Sequence, residues 1–263
     1  MNLGIYSWFG FNIPLSEKYK LIKEAGFSST SFWFGEENDD VRNGKVDVVV
    51  SLTKKLNLFI ENIHLPYRNC NLLWSDQKKE RNKMKSDVNA GLAFCKKHSI
   101  PIMVTHITKG SNPPAYNEIG LNLIRELVCF AEASNVIIAI ENTRNPGYLD
   151  FIFSKIQSPN LGLCYDSSHD FLWSENPGHI LKKWGPLLVT THFGDTDGKR
   201  DNHWLPKEGI IDWRIIKNNF PVTYYNGTIS LEVFPKSDEN NRPDFFLKKA
   251  FNTANWLRDY LLS

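Results

Sequence analysis

The sequence contains few cysteines, and no long apolar run interrupts it. Its four cysteines, Cys70, Cys95, Cys129 and Cys164, are widely spaced and form no CxxC pair. This usage indicates reduced, structural thiols, so we expect a cytoplasmic protein. No run approaches the roughly 18 consecutive apolar residues of a membrane helix, and the first ten residues, MNLGIYSWFG, lack the pattern of a secretory signal. We therefore expect no membrane association.

An excess of charge of one sign is also absent. The formal net charge is only +2 over 263 residues, so the overall balance does not indicate a nucleic-acid or acidic-membrane partner. The length is ample for a large buried core, and α/β barrels commonly reach this size as one unit. No low-complexity linker or internal repeat divides the chain. We expect one domain over residues 1–263.

Titratable residues recur where apolar, β-rich runs end. The runs NLFIENIH, PIMVTH, VIIAIE, LGLCYD, LLVTTH and GTISLE end at His64, His106, Glu141, Asp166, His192 and Glu232, and the later residues His169, Asp201 and His203 complete the set. A titratable group that is desolvated without a partner costs several kcal/mol. One such histidine is best explained as a hydrogen-bonded core or loop residue. The whole set predicts strand ends that converge on a metal ion.

Apolar strand-like runs alternate with longer helical patterns along the chain. Strands are predicted near residues 2–6, 27–33, 58–64, 101–106, 136–141, 161–166, 187–192 and 227–232. Helical segments lie between them, and the final segment RPDFFLKKAFNTANWLRDYLLS carries apolar residues at helical spacing after Pro243. Eight such units predict an α/β fold, a single (β/α)8 TIM barrel. The carboxyl ends of its strands share the face where barrel enzymes place their chemistry.

Several segments, in this order, carry a resemblance that spans nearly the whole chain. They are HLPY at His64, ENT at Glu141, CYDSSH at 164–169, THFGD at His192, DNHWLPKEGIIDW from Asp201 and LEVF at Glu232. Together they resemble the xylose isomerase-like, endonuclease IV-like barrel superfamily, which includes sugar phosphate isomerases and epimerases. The resemblance is specific for the fold and the metal site. It is much less specific for the substrate.

The resemblance to the sugar isomerases and epimerases implies one divalent ion, manganese, magnesium, cobalt or zinc. Its ligands would be Glu141, Asp166, His192 and Glu232. The reaction would remove a proton beside a carbonyl of a ketose, aldose or polyol and pass through an enediolate, which a metal stabilises. The resemblance assigns the proton transfers to Glu141 and Glu232, as general acid–base catalysts.

The resemblance to endonuclease IV implies an alternative, a zinc phosphodiesterase that cleaves DNA at abasic sites with three zinc ions. The additional ligands would match His64, His106, His169, Asp201 and His203. In the isomerase interpretation the same residues would bind substrate or orient the ligands. Nucleic acid is a partner only under the nuclease alternative. A non-catalytic barrel that binds a sugar is a third, less favoured interpretation because the carboxylate pair is intact.

The loops after the predicted strands favour a small substrate. The segment GEENDDVRNGK places four acidic residues after the second strand, where they would repel a nucleic-acid backbone. Aromatic rings in such loops can cover the apolar face of a sugar. We expect Trp8, Trp33 and Trp204 to line the pocket, and Arg144 to bind a hydroxyl, carboxylate or phosphate. The sequence leaves open whether the sugar is phosphorylated and is compatible with a homo-oligomer.

Overall fold

Eight parallel strands form the centre of the protein. The computed structural model describes residues 1–35, 46–236 and 242–263. The strands are β1 Asn2–Tyr6, β2 Ser29–Trp33, β3 Phe59–His64, β4 Ile102–Thr105, β5 Ile137–Glu141, β6 Leu161–Asp166, β7 Leu188–His192 and β8 Thr228–Leu231. Every strand lies within a residue or two of its predicted position. The predicted strands are therefore confirmed.

Helices connect the strands. They are α1 Leu15–Ala25, α2 Val46–Lys55, α3 Lys78–His98, α4 Glu118–Ser134, α5 Gly147–Phe153, α6 Ser167–Trp173, α7 His179–Trp184, α8 Trp213–Asn219 and α9 Pro243–Leu262. Short 3-10 helices span Cys70–Trp74 and Gly185–Leu187. The final helix begins at Pro243, as predicted, because proline at the first helical position loses no intrahelical hydrogen bond.

The strand order makes the sheet a barrel. It runs β7-β6-β5-β4-β3-β2-β1-β8, with each neighbouring pair parallel. At the remaining seam, the N–H of Phe193 donates to the carbonyl of Ser230 at 2.9 Å, and the N–H of Glu232 donates to the carbonyl of Phe193 at 3.1 Å. The predicted (β/α)8 TIM barrel is confirmed. The seam lies at the strand ends that carry the titratable cluster, since Phe193 directly follows His192 and Glu232 belongs to the cluster.

Two apolar layers hold the barrel together. The larger one lies between strands and helices, with residues such as Ile5, Ile63 and Leu257 fully buried. A smaller cluster contains Val104 and Ala139, which precede His106 and Glu141 by two residues in their strands. Because side chains alternate along a strand, this cluster faces the barrel interior, below the titratable residues. In the described part of the chain, no helix is both long and apolar enough to cross a lipid bilayer.

The end of α1 gives a test of the packing between the first and last helices. Gly26 has φ of +117°, and an added Cβ would lie 2.7 Å from the ring of Phe251. We expect Gly26→Ala to lower the free energy of unfolding by about 3 kcal/mol, because a strained φ and overpacking add. Gly110→Ala is the control, since Gly110 has φ of +80° with no atom within 4 Å of the added Cβ. Gly110→Ala should lower the free energy of unfolding by about 1 kcal/mol. Equal losses for the two variants in urea denaturation would show that contact with Phe251 adds nothing to the cost at Gly26.

Candidate metal centre and active-site cavity

The strand ends bring the predicted titratable residues into one buried cluster. His64, Glu141, Asp166 and His192 are the last residues of β3, β5, β6 and β7. His106 and Glu232 directly follow the ends of β4 and β8. Register explains part of this convergence, since Asp166 is paired with His192 across two adjacent strands. The cluster therefore follows from the parallel barrel.

Glu141 occupies the centre of this cluster. Its Oε2 lies 3.0 Å from His64 Nε2, 3.2 Å from His106 Nε2 and 3.2 Å from His192 Nδ1. Its other carboxylate oxygen, Oε1, lies 3.1 Å from His169 Nδ1. Burial opposes ionisation, but the charges of His106 and His192 hold the pKa of Glu141 well below its ordinary value. The buried carboxylate is therefore an anion that requires positive partners.

Four of these residues form a group with the chemistry of metal ligands. One donor atom from each of Glu141, Asp166, His192 and Glu232 lies within 4.8 Å of the other three. His192 Nδ1 is 2.9 Å from Glu232 Oε2 and 3.2 Å from Glu141 Oε2, yet it makes no hydrogen bond of acceptable geometry. A buried nitrogen left without a hydrogen bond between two carboxylates fits a shared divalent cation, since such ions accept mixed nitrogen and oxygen ligands.

The ionisation of the two remaining carboxylates differs. Burial raises the pKa of Asp166 to about 7, against the lowering effect of His169. Burial also opposes ionisation of Glu232, but His192 and His203 lower its pKa to about 2. Asp166 is thus the carboxylate of the cluster whose ionisation the surrounding imidazoles compensate least. A cation would favour the ionised form of Asp166 as well.

Asp201 is the centre of a second group of contacts, beside the group around Glu141. Its Oδ2 lies 3.0 Å from His169 Nε2 and 3.2 Å from His203 Nε2. Although burial opposes ionisation, these two histidines lower the pKa of Asp201 below its usual range. The same contact raises the pKa of His203 to about 9 despite its burial, with a contribution from Glu232. The structure therefore brings together all nine residues that the sequence singled out.

Asn142 is a positioning residue that sequence reasoning missed. Its Oδ1 accepts from the N–H of Asp166 at 2.7 Å, and its Nδ2 donates to the carbonyl of Asp166 at 2.9 Å. Asp166 in turn caps α6, accepting from the N–H of His169 at 2.7 Å. The carbonyl of Asn142 lies 2.9 Å from His169 Nδ1. Asn142 directly follows Glu141, and a polar residue at that place was the available signal.

Asp195 organises the loop that contains Asp201 and His203, and sequence reasoning did not single it out. Its buried carboxylate accepts from the N–H groups of Thr196, Lys207 and Ile211 and from the indole of Trp213, at 2.8 to 3.1 Å. These bonds fix both ends of the segment that contains Asp201 and His203. No feature of the sequence distinguishes Asp195, because an aspartate before a polar loop usually faces solvent.

A cavity of about 810 Å³ opens above the cluster. Aromatic rings stack on three of its histidines, with ring centroids 4.4 to 5.1 Å apart and interplanar angles of 16 to 25°; the pairs are Trp33 on His64, Tyr67 on His106 and Trp173 on His169. Tyr6, at the end of β1, also lines the cavity. Burial and the charge of Glu232 raise its pKa well above the ordinary value. The sequence did not single out Tyr6, since a tyrosine within a strand is typical of a core.

Of the four residues expected to bind substrate, three line the cavity and one does not. Trp8, Trp33 and Arg144 line the cavity. Trp204 does not, so its expected place in the pocket is wrong. Its backbone pairs with Asp195 through hydrogen bonds of 2.8 and 3.0 Å, and its ring lies under the Lys236 ammonium, 4.0 Å from the centroid. The predicted acidic loop, with Glu36, Glu37, Asp39 and Asp40, lies outside the described residues.

A barrel with a carboxylate and imidazole cluster at the carboxyl ends of its strands defines the class of protein. The sequence profile of the xylose isomerase-like TIM barrel family matches residues 19–259, and the chain belongs to this family.

Similar proteins cover the chain to different extents. An uncharacterized protein of Sinorhizobium fredii, y4fM, is 35% identical over 106 residues, a match of 37% of this chain and only 33% of that protein. Fructoselysine 3-epimerase of Escherichia coli O157:H7 is 21% identical over 275 aligned positions, which cover 95% of this chain and 96% of the relative. The structure of D-psicose 3-epimerase with D-tagatose from Clostridium cellulolyticum H10 superposes with a TM-score of 0.78 at 15% identity, covering 99% of each chain.

Replacement of Asn142 tests its role in holding the cluster. We expect Asn142→Ala to lower the free energy of unfolding by about 2–3 kcal/mol, because it leaves buried backbone groups of Asp166 unpaired. Asn160→Ala is the control, since its amide donates to the carbonyl of Val136 at 2.9 Å in a more exposed place near the opposite end of the barrel. We expect it to cost about 1 kcal/mol. Equal losses of unfolding free energy in chemical denaturation would show that Asn142 stabilises the protein no more than Asn160 does.

Proposed function

We propose that the protein is a divalent-metal-dependent sugar epimerase or isomerase acting on a ketose, aldose or polyol. The observation that carries the proposal is the pair of carboxylates, Glu141 and Glu232, on either side of His192 Nδ1 at the floor of the cavity. The match to fructoselysine 3-epimerase over nearly the full length of both chains supports this class of reaction.

The proposed metal ligands are Glu141, Asp166, His192 and Glu232. They would hold one divalent ion, and their mixed carboxylate and imidazole set suits manganese, magnesium, cobalt or zinc. When bound, the ion supplies positive charge that stabilises negative charge developing on the substrate's oxygens. The ligands must be deprotonated to bind it, so the metal would replace the protons that now compensate the carboxylates.

Proton transfer is assigned to Glu141 and Glu232. One carboxylate would take the proton from the carbon beside the carbonyl, and the other would return a proton from the opposite side. Glu141 is buried, Glu232 is partly buried, and both have lowered pKa values, which favours the ionised form needed by the base. The other carboxylate would have to carry a proton when the substrate binds, and the two would exchange these states in each turnover. Trp33 and Tyr67 would exclude water and cover an apolar sugar face.

We further propose that residues 1–263 act as one domain in the cytoplasm. Pairing of β1 with β8 joins the two ends of the chain in one barrel. The free, buried thiols of Cys70, Cys95 and Cys164 support a reducing compartment. A small sugar or polyol is the proposed partner, and a homo-oligomer is compatible with this arrangement.

A second candidate is an endonuclease IV-like zinc phosphodiesterase, and a specific observation favours it. His64 and His106 share one oxygen of Glu141, while His169 and His203 share one oxygen of Asp201. These two arrangements offer places for two further ions beside the four-ligand group. A non-catalytic sugar-binding barrel is the least favoured candidate, because it has no use for a buried carboxylate pair.

Metal content separates the first two candidates. We expect about one divalent ion per chain after chelator treatment and reloading with manganese, cobalt or zinc, measured by elemental analysis. His192→Ala should lose that ion, because it removes the nitrogen between the two carboxylates. His179→Ala, an exposed histidine outside the cavity, is the control and should retain it. Close to three zinc ions per wild-type chain would instead favour phosphodiester cleavage.

Hydrogen exchange tests the role of Glu232. The loaded enzyme should exchange a carbon-bound hydrogen of D-psicose, D-tagatose or fructoselysine with deuterium from solvent, detected by NMR. We expect Glu232→Gln to slow the exchange about 1,000-fold, since a positioned base contributes roughly 10²–10⁴. Glu175→Gln, an exposed carboxylate outside the cavity, should leave it unchanged. Undiminished exchange in folded, metal-loaded Glu232→Gln would remove this residue from the mechanism.

A further inference from the structure

Three lysine or arginine side chains are among the described residues that line the cavity; Lys18 lies in α1, and the other two follow neighbouring strands. Lys109 and Arg144 line the cavity in the loops that follow β4 and β5. Among the described lining residues, the carboxylates are Glu141, Asp201 and Glu232, all of which belong to the buried cluster. The cavity therefore has an acidic part at the buried cluster, its floor, which fits a metal. Lys109 and Arg144 form a basic part in the loops that follow the strands.

A hydrogen bond joins the two loops directly before these cations. Thr108 Oγ1 lies 2.7 Å from Thr143 Oγ1, and each threonine directly precedes one of the two cations. This bridge joins the loops that carry Lys109 and Arg144. We call Thr108, Lys109, Thr143 and Arg144 the β4–β5 wall.

In the β4–β5 wall, hydrogen bonds restrain the backbone of Lys109, and a ring contact restrains the guanidinium of Arg144. Asn71 Oδ1 accepts from the N–H of Lys109 at 2.8 Å, and Asn71 Nδ2 donates to its carbonyl at 3.2 Å. The guanidinium of Arg144 lies 4.5 Å from the ring centroid of Trp173, which itself stacks on His169. The ring of Trp173 therefore lies between Arg144 and His169, and this stacking limits the rotamers that Arg144 can adopt.

Within the described ranges, neither cation has a carboxylate partner. In residues 1–35, 46–236 and 242–263, no carboxylate forms an ion pair with Lys109 or Arg144, whereas exposed lysines such as Lys85 and Lys155 do pair with glutamates. Two cations in loops joined by a hydrogen bond offer several donors to an anionic group, and guanidinium suits phosphate and carboxylate in particular. Gly110, beside Lys109, has open space within 4 Å of where a Cβ would stand.

We propose that the β4–β5 wall binds an anionic group, a phosphate or a carboxylate, at the far end of the sugar. This proposal rests on the proposed function, in which the reacting carbons lie at the acidic floor. The cavity of about 810 Å³ is in the upper part of the range of small-molecule pockets, roughly 300–1,000 Å³. That volume accommodates a sugar that carries an additional charged group. Lys109 and Arg144 are thus assigned to substrate specificity.

Binding of unreactive polyols tests the wall separately from catalysis. The probes are D-glucitol, D-glucitol 6-phosphate and D-gluconate, which have no aldehyde or ketone to acidify a neighbouring C–H. Their binding is measured by titration calorimetry on the protein as purified. We expect at least one anionic probe to bind about tenfold or more tightly than D-glucitol, because a hydrogen bond to a charged group contributes about 1.5–3 kcal/mol. Preference for the phosphate alone assigns a phosphorylated sugar, and preference for D-gluconate assigns a carboxylate.

The double variant Lys109→Gln/Arg144→Gln should remove this preference. The matched control is Lys79→Gln/Lys83→Gln, which removes the same charge from exposed positions of α3 outside the cavity. Equal binding of all three probes to the wild type, no measurable binding of either anionic probe, or an unchanged preference in the double variant would overturn the proposal.

Two further measurements separate this proposal from the function on which it rests. Deuterium exchange on neutral and phosphorylated ketoses reports on the reaction, so exchange without an anion preference would remove the wall and keep the epimerase or isomerase. An anion preference without exchange on any sugar would keep the wall and contradict the reaction. If the double variant instead loses affinity for abasic duplex DNA while the polyol probes show no preference, the cations serve a nucleic-acid phosphate and the proposal is wrong.

Discussion

The buried carboxylate of Glu141 is the constraint on which the site depends. It is 1% exposed and has imidazole nitrogens of four histidines within 3.2 Å of its oxygens. A desolvated anion without such partners would cost several kcal/mol. Strands β3, β4, β5 and β7 and helix α6 must therefore end or begin close to one point. The barrel satisfies this requirement because its parallel strands present their carboxyl ends on one face.

A second set of polar residues maintains this concentration of charge. Asn142 bonds to both backbone groups of Asp166, and Asp195 holds the loop that contains Asp201 and His203. Neither residue lines the cavity. Because partners that orient ligands are often as necessary as the ligands themselves, these two residues are as much a part of the site as the groups that face the cavity.

The sequence predicted the fold and the buried cluster well for a definite reason. Strand ends can be read from apolar periodicity, and in a parallel barrel a strand end also specifies a place on one face. Predictions failed where placement depends on a loop. Trp204 follows His203, but pairing of its backbone with Asp195 turns the ring toward Lys236 and away from the cavity. Periodicity carries no information about such a turn.

The sequence by itself determined the eight strand and helix units, the family, and the nine titratable residues at the strand ends and in the later loop. Only the tertiary structure decided how those residues are shared, with one oxygen of Glu141 and one of Asp201 each contacting two or more imidazoles. It also decided that the loops of Lys109 and Arg144 are joined by a hydrogen bond and line one cavity. The physical reason is that such contacts join residues far apart in the chain, and their distances depend on strand register, barrel closure and loop hydrogen bonds together.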